Sequence, residues 1–396
     1  MHTSLQEHTG TRISRLRRER NLTQTELSQL SGVSISTLTK VEQGVIPASP
    51  YVVGRVAGPL RVSTAEIEGQ PYSDELRADR LDVLIRPIRE ALDVYDLGAD
   101  PDIHARQLAT LHAESEDLCA KVRAGQIKDV ASRVAGLIEE ATTAAHTAGS
   151  RDGWLTLASL YRSAYDVATK LGYPDLAQLA LTRLNWAAER ASDAVLGGMY
   201  HYLRALTYLR EGQYRTGSRL TTLGLATIEQ AEESRERQVV TGQLHLGASV
   251  LAARAHDEHQ AKHHLGEAER IAQATREAGQ VHWLAFGPTN VKVHRVSVLA
   301  ELDQYDKAVE AAERTMIPKD WPKSRSSHHY AEVARAQLWT GQVEAAFDNL
   351  LQARKTAPQQ AKYHPLVRDT FHGLEAAQRR LPDSFLSFGS WLGPQR

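Results

Sequence analysis

The feature that most constrains this chain of 396 residues is a dense set of helix-capping signals within residues 22–44. Thr23 is followed three residues later by Glu26, the spacing of a capping box, in which each side chain satisfies the other residue's backbone N–H. The pattern predicts that a short helix begins here and directs Leu27 and Leu30 into a core.

A second short helix is predicted after a break at Gly32. Ser34 can cap its first turn. Gly44 can end it, because glycine readily adopts the left-handed conformation found at helix C-termini. Leu38 and Val41 then share its inner face. Two short helices joined by a glycine-containing turn form a helix-turn-helix unit.

The other face of the second helix carries Ile35, Ser36, Thr39 and Lys40. These side chains suit the major groove of DNA, where lysine reaches guanine acceptors, serine bonds donors or acceptors, and isoleucine contacts a thymine methyl group. The alternative interpretation, which an isolated polar helix would favour, is an ordinary solvated face. The flanking sequence favours DNA.

Further motifs flank these two helices. The arginine-rich residues 12–20 predict a preceding helix, Ser49 and Pro50 open a fourth helix, and residues 62–67 form a fifth. Together with the capping signals, these motifs cover residues 11–69 and resemble the phage repressor/Cro-type helix-turn-helix family, also called the XRE family, over all five of its helices.

One part of this region departs from the family's pattern. Gly54, Gly58 and Pro59 fall where the family prefers helix formers. They predict a short or frayed fourth helix.

The resemblance implies how such a domain meets DNA. Gln24 would bond a phosphate at the mouth of the groove, and Arg17 would pair with Glu42 inside the domain, so that losing the pair unfolds the domain rather than altering its specificity. Ile35, Ser36 and Lys40 would face base edges, and Thr37 and Gln43 would lie near the backbone. The candidate DNA-binding residues are Arg12, Gln24, Ser34, Ile35, Ser36, Thr37, Thr39, Lys40 and Gln43.

Local charge supports the same interpretation. The whole chain has a formal net charge of −1, which gives no general case for nucleic acid. The predicted first helix, in contrast, carries an excess of about four positive charges, a suitable footprint for phosphates. For Arg18 and Arg20 individually, simple solvation remains an alternative.

A linker and a connecting helix are predicted next. Residues 69–73 contain a glycine and a proline in a polar stretch, which predicts a linker. An apolar stripe then runs through residues 76–92 and predicts a helix with a kink or break at Arg86-Pro87. Such a connector could hold two subunits together or pack on its own chain, and the sequence favours neither.

From Asp102 onward the composition predicts helix almost throughout. A turn motif at residues 212–217 recurs at residues 302–308 and 341–346, and with weaker copies the spacings run from 38 to 47 residues. Helical hairpins that cannot bury their apolar faces alone stack into an α-solenoid. The turn, with Ala205, Tyr208, Leu350, Ala353 and Pro358 around it, resembles the tetratricopeptide repeat.

The concave face of a solenoid is its usual binding surface. Asparagine and glutamine there can bond a peptide backbone or a polar small molecule on both donor and acceptor sides. Any single residue could equally be an ordinary inter-helix contact, so the prediction concerns the groove as a whole. The candidate effector-binding residues are Tyr202, Gln243, Asn290, His328 and Arg335, with Asn185, His245 and His294 as neighbours.

Other chemistry has little support. His259 and His263 have a spacing that can chelate a metal, but without a cysteine or a metalloprotease motif they favour an exposed histidine-rich turn. No phosphate loop, nucleophile elbow or kinase signature occurs, so neither an enzyme nor a cofactor is predicted. The single Cys119 excludes an internal disulfide and fits a reducing cytoplasm. No apolar run of about eighteen residues predicts a membrane span.

These features together predict an all-α protein with a helix-turn-helix DNA-binding domain (1–69), a linker and connecting helix (70–101), and a tetratricopeptide-like helical repeat domain (102–396). The architecture resembles ligand-responsive bacterial regulators, including the peptide-sensing quorum regulators of the RRNPP group. The resemblance implies a cytoplasmic homodimer on a double-stranded DNA operator, controlled by a peptide or small-molecule effector. The alternative is a scaffold that recruits a protein partner, such as polymerase or a toxin, to DNA.

Overall fold

The computed structural model describes residues 7–378 and 382–393. Within these ranges the chain forms helices and no strand, with one isolated β-bridge between Ala278 and Phe286. The predicted all-α class is therefore confirmed. No helix in the same ranges is both long and apolar enough to cross a membrane.

The first five helices form a small N-terminal domain with a core of its own. The capping box is present, because the Thr23 N–H donates to the Glu26 carboxylate at 2.7 Å and the Glu26 N–H donates to Thr23 Oγ1 at 3.2 Å. The helices are α1 (Thr9–Glu19), α2 (Gln24–Ser31), α3 (Ile35–Glu42), α4 (Pro50–Leu60) and α5 (Thr64–Glu68).

The inner face of α2 differs from the prediction. Leu27 is fully buried, but Leu30 is 60% exposed, so its placement in the core was wrong. The buried face runs instead from Leu27 to Ser31, one helical turn later, and the Ser31 hydroxyl donates to the Leu27 carbonyl at 2.6 Å. Leu27 and Ser31 at i and i+4 align with the core better than Leu27 and Leu30 at i and i+3.

The prediction of a short fourth helix is also wrong. α4 runs over 11 residues and includes both glycines and Pro59. Pro59 is tolerated because it lies in the last turn, where little helix follows it. Gly54 packs against the helical body: a Cβ there would lie 2.8 Å from Gly212 Cα, so only glycine allows this approach.

The connecting segment packs on its own chain. It forms α6 (Ser73–Ala78), a 3₁₀ turn (Asp82–Leu84) and α7 (Ile85–Asp93). Leu76, Ile88 and Leu92 are fully buried in the main core. The break precedes Arg86, and Pro87 lies in the first turn of α7, where its missing N–H removes no helical hydrogen bond.

The remainder is a stack of helical hairpins. Each pairs an inner helix (α8, α10, α12, α14, α16 or α18) with the outer helix that follows it. The helices are α8 (Leu108–Ala124), α9 (Ile127–Ala148), α10 (Arg151–Leu171), α11 (Pro174–Arg190), α12 (Ala194–Arg210), α13 (Tyr214–Ile228), α14 (Arg235–Arg254), α15 (Glu258–Thr275), α16 (Pro288–Glu301), α17 (Tyr305–Glu313), α18 (Lys323–Trp339), α19 (Val343–Thr356), α20 (Pro358–Lys362), α21 (Pro365–Ala377) and α22 (Asp383–Leu392).

The stack closes on itself. α8 contacts α18, and α9 contacts α20, so the first hairpin lies beside the last ones. The Lys128 N–H donates to Gln359 Oε1 at 3.0 Å, and Lys362 Nζ lies 2.7 Å from an Asp79 carboxylate oxygen. The inner helices therefore surround a central space instead of lining an open groove.

Candidate DNA-binding and effector sites

Helix α3 exposes one face and buries the other. Ser34 caps it by accepting from the Thr37 N–H at 3.1 Å. Leu38 and Val41 are buried, whereas Ile35 is 47% exposed and its neighbours on that face are exposed as well. The exposed side chains of α3 and its two caps are Ser34, Ile35, Ser36, Lys40 and Gln43, and Thr37 and Thr39 are half-buried beside them.

A buried polar network fixes α3 relative to α1 and α2. Arg17 donates to both carboxylate oxygens of Glu42, at 2.7 and 2.8 Å. Gln24 donates to Glu42 at 2.8 Å and accepts from the Thr39 hydroxyl at 3.2 Å. Burial alone would raise the pKa of Glu42, but the bonds from Arg17 and Gln24 lower it, so the carboxylate stays charged.

This network uses both ends of the Gln24 amide. Its side chain orients α3 from within the domain, through Glu42 and Thr39. A contact between Gln24 and a phosphate therefore remains a prediction.

The arginines of α1 contribute less free positive charge than the sequence predicts. Arg12 donates to the carbonyls of Ile67 and Glu68 at 2.6 and 3.0 Å. These bonds tie α1 to the end of α5, so a contact between Arg12 and DNA remains a prediction. Arg15 pairs with Glu19 at 2.8 Å, and Arg20 donates to a backbone carbonyl. Of the five arginines in residues 12–20, Arg18 alone has no side-chain hydrogen bond or ion pair within the described ranges.

The sequence of the small domain decides its class. Residues 13–67 match a family described as helix-turn-helix. The N-terminal domain is an XRE-type helix-turn-helix. Such domains belong to DNA-binding transcription regulators, and this is the function class of the chain. Comparison with curated proteins and with solved structures gives no significant match.

The inner helices line a cavity of about 400 Å³ between the helical body and the helix-turn-helix domain. The domain contributes part of the wall through Ala48, Val53, Ala65 and Glu68. The loop at 276–287 contributes Trp283 and Leu284. Trp283 is held there by a bond from its Nε1 to Glu116 of α8, at 2.9 Å.

The structure brings together most of the effector residues predicted from sequence. Four inner helices join in one hydrogen-bonded row, because Gln243 donates to Tyr202 at 2.7 Å, Asn290 donates to Gln243 at 3.4 Å, and Arg325 donates to Asn290 at 3.0 Å. Asn290 lies directly behind the wall. The predicted residues that line the cavity are Tyr202, Gln243, His294, His328 and Arg335.

Two predicted effector residues lie elsewhere and are corrected. Asn185 is on the outer helix α11, where its side chain donates to Glu189 at 2.7 Å. His245 is on α14, two residues after Gln243. Two residues correspond to a rotation of about 200° around a helix, so His245 lies on the opposite side of α14 from Gln243. Its ring faces His264 of α15 at 2.9 Å. Neither residue lines the cavity.

The predicted residues at the cavity also differ in availability. Arg335 is buried and bound to Glu301 at 3.0 Å, and Arg254 holds the same carboxylate at 3.1 Å. Burial and the nearby Arg325 lower the pKa of His294 to about 3, so this ring is neutral at pH 7. His328 shares a hydrogen bond with His364 at 3.0 Å.

Sequence reasoning missed the cations of the wall, which are Arg123, Arg162, Lys170, Arg210 and Arg325. Each lies on an inner helix. Arg162 shows the signal that could have revealed them: it is 4% exposed within a helix whose adjoining Tyr161 and Ser163 are buried too. A charge in a stretch of sequence that is buried on all sides either has a partner or serves a site.

The helix-turn-helix domain docks through its rear surface. Tyr51 packs edge-on against His256, with ring centroids 4.7 Å apart, and the Thr9 hydroxyl donates to Asp369 at 2.6 Å. Glu68 lies in the same junction, where burial, with Asp369 adding to it, raises its pKa to about 8. The exposed face of α3 takes no part in this contact.

Proposed function

We propose that the chain is a homodimeric, sequence-specific transcription regulator of the cytoplasm, whose tetratricopeptide-like body binds an effector that controls operator binding. One observation supports this most: the helix-turn-helix domain forms part of the cavity wall. A ligand in the cavity touches both parts of the chain. The ligand therefore stabilises the arrangement of domain and body that it binds more tightly. The size of the shift is set by the difference between its affinities for the two arrangements.

The exposed face of α3 supplies the DNA contacts in this proposal. Ile35, Ser36 and Lys40 face base edges, and the polar residues around them meet the phosphate backbone. In a dimer, two such helices would lie about 34 Å apart on a pseudo-palindromic operator. An effector that changes this separation changes operator affinity, because a stiff duplex accepts two recognition helices only at about one turn or a multiple of it. The backbone contacts in this proposal are Gln24, Ser34, Thr37, Thr39 and Gln43.

The scaffold alternative has less support. A protein partner needs an open surface of about 800 Å² on each side. The inner surface of this body lines a cavity of about 400 Å³, the size of a small-molecule site.

Two residues from the predicted effector set provide a matched test. An operator selected in vitro would be titrated with the full-length protein, before and after removal of copurified small molecules by denaturation and refolding. We expect operator affinity to change on ligand removal in the wild type and in Asn185→Leu, whose site is outside the cavity. Gln243→Leu, which breaks the row across α12, α14 and α16, should lose the response. Equal affinity of the wild type with and without its ligand would refute effector control.

A further inference from the structure

Positive charge in the cavity wall exceeds the carboxylate available to balance it. Asp166 pairs with Arg123 at 2.9 Å. Its pKa is lowered, although burial would raise it, because Arg123, Arg162, Lys170 and Arg210 all act on it. One carboxylate is thus shared among four cations.

Five other carboxylates line the wall, and none of them lies at ion-pair distance from Arg162, Lys170, Arg210 or Arg325 within the described residues: Glu68, Glu211, Glu301, Glu332 and Asp369. Asp369 accepts from the Thr9 hydroxyl at 2.6 Å. Glu301 is bound by both Arg254 and Arg335. Glu332 accepts from the Ser297 hydroxyl at 2.5 Å and lies 3.4 Å from His328. Burial raises the pKa of Glu68 to about 8, so Glu68 is mostly neutral at pH 7.

Four cations of the wall have only neutral hydrogen-bond partners. Within the described residues, no carboxylate lies at ion-pair distance from Arg162, Lys170, Arg210 or Arg325, and Arg162 Nε and Arg325 Nε have no hydrogen-bond acceptor. Arg162 donates to Met199 Sδ at 3.5 Å and to the Trp283 carbonyl at 3.4 Å, and Lys170 donates to Gln360 Oε1 at 2.8 Å. Arg210 donates to the Tyr165 hydroxyl at 3.4 Å and to the Leu206 carbonyl at 3.5 Å. Arg325 donates to Asn290 Oδ1 at 3.0 Å and lies 3.5 Å from His294 Nδ1.

This arrangement is costly without an anion. Charges withdrawn from water need a counter-charge, and like charges in a low-dielectric wall repel each other. Burial, opposed by Asp166 and reinforced by Arg123, Arg210 and Arg325, lowers the pKa of Lys170 to about 8. Burial, with Arg123 as a further repelling charge, also lowers the pKa of Arg162 and Arg325.

We propose that the effector is a small organic anion, whose carboxylate or phosphate group is held by Arg162, Lys170, Arg210 and Arg325. This inference rests on the proposed function, because it names the chemical class of ligand for the same cavity. Arginine and lysine donors that converge from α10, α12 and α18 suit such a group, since bonds between charged partners are the stronger ones.

The rest of the wall defines the rest of the ligand. Leu203, Leu206 and Val250 supply apolar surface, and Tyr202 and Gln243 supply hydroxyl and amide groups. The ligand therefore combines an acidic group with a compact body that is partly apolar. A cavity of about 400 Å³ suits a metabolite-sized molecule.

The test uses the full-length protein with two probes, citrate and inorganic phosphate. Trimethyl citrate, which keeps most of the citrate skeleton without its charges, is the neutral comparison. Unpaired cations attract any small polyanion that fits, so both probes should bind at millimolar concentration at low ionic strength, whichever anion is the natural effector. We expect each to raise the Tm above that in chloride of equal ionic strength, and trimethyl citrate to leave the Tm unchanged.

Charge-removing variants locate the site. Lys170→Met and Arg210→Met should lower the affinity for both probes at least tenfold, as measured by calorimetry. The controls Lys292→Met and Arg219→Met remove exposed charges outside the cavity and should bind like the wild type. The Tm of ligand-free Lys170→Met should equal or exceed that of the wild type, which separates loss of binding from loss of fold.

The outcomes separate this inference from the proposed function. If neither anion binds, or if both bind Lys170→Met and Arg210→Met as tightly as the wild type, the anion site is refuted. A neutral copurified molecule that changes operator affinity would refute the anion class and leave effector control standing. Anion binding that requires Lys170 and Arg210 but leaves operator affinity unchanged would support the anion site and refute the coupling.

Discussion

Arg17 and Glu42 show how a single buried pair can set the geometry of a recognition surface without touching it. Both side chains are almost fully buried. Glu42 also accepts a hydrogen bond from Gln24, and Gln24 accepts one from the Thr39 hydroxyl of α3. The exposed face of α3 therefore depends on residues that DNA would not reach.

Arg17→Ala should lower the free energy of unfolding by about 3 kcal/mol, because it leaves the Glu42 carboxylate buried without its partner. Arg18→Ala is the matched control, since this exposed neighbour has no ion pair in the part of the chain that the structure describes, and it should change stability by less than about 0.5 kcal/mol. Chemical denaturation followed by circular dichroism measures both. Similar stabilities of the two variants would contradict a structural role for the pair.

Lys40→Ala should act on DNA and not on the fold. Its side chain is exposed and makes no ion pair with any residue that the structure describes, so the Tm should stay close to that of the wild type. Loss of a base contact costs about 1–3 kcal/mol, which corresponds to a roughly tenfold or larger loss of operator affinity.

A gel shift at fixed salt concentration measures the affinity of Lys40→Ala, and Lys292→Ala on the helical body serves as the charge-matched control. Unchanged affinity of a folded Lys40→Ala protein would remove α3 from the DNA interface.

At the scale of elements, the junction between α4 and the turn from α12 to α13 joins the helix-turn-helix domain to the body. Gly54 and Gly212 face each other so closely that a Cβ on Gly54 would meet Gly212 Cα at 2.8 Å and Tyr214 Oη at 3.0 Å. The main chain cannot yield to this contact as a flexible side chain could.

Gly54→Val should therefore separate the two parts of the chain. The small domain keeps its own core, so we expect a larger radius of gyration in solution scattering while helical content is maintained. Gly58→Ala lies on the same helix with nothing within 4 Å of its added Cβ. It should leave the dimensions unchanged and stabilise the protein by about 0.5–1 kcal/mol. Unaltered scattering of Gly54→Val would refute this docking contact.

Elements whose determinants are local could be predicted from sequence. The caps at Thr23 and Ser34 fix the starts of α2 and α3 within a few residues, and both were found where predicted. Gly54 was misjudged, because propensity describes the helix alone while the reason for this glycine is a contact with Gly212, far along the chain.

The candidate cavity could be predicted only in part, for the same reason. A repeat register placed Tyr202 and Gln243 on the inner wall, where the structure has them. It gave no indication that the stack closes into a ring. Unpaired charges such as Arg162 become visible only when the carboxylates around them are known.

At the scale of the whole molecule, Glu68 makes the docking of the helix-turn-helix domain on the helical body sensitive to pH. Asp369, Arg254, Glu211 and Arg12 surround it in the junction, and burial raises its pKa to about 8 from an ordinary 4.5. Between about pH 4.5 and pH 8, Glu68 keeps its proton in the folded protein and loses it in the unfolded chain. The free energy of unfolding therefore decreases as pH rises through this window.

Glu68→Gln should remove this contribution. Relative to the wild type, its Tm should be similar near pH 5 and higher by a few degrees, on the order of 2–4 °C, near pH 8. Glu66→Gln is exposed on the same helix and should follow the wild type throughout. Parallel melting curves for wild type and Glu68→Gln across pH 5–8 would show that Glu68 does not titrate in the junction.

The closed ring has a kinetic consequence. Because Lys128 and Lys362 join the first hairpin and the connecting segment to α20, a ligand cannot leave between the first and the last hairpins. The helix-turn-helix domain and the loop at 276–287 border the remaining exits, so their motions, together with the ligand's own contacts, would set its residence time. Such a regulator would retain its ligand after the surrounding concentration had fallen, and its transcriptional output would lag behind the signal that it senses.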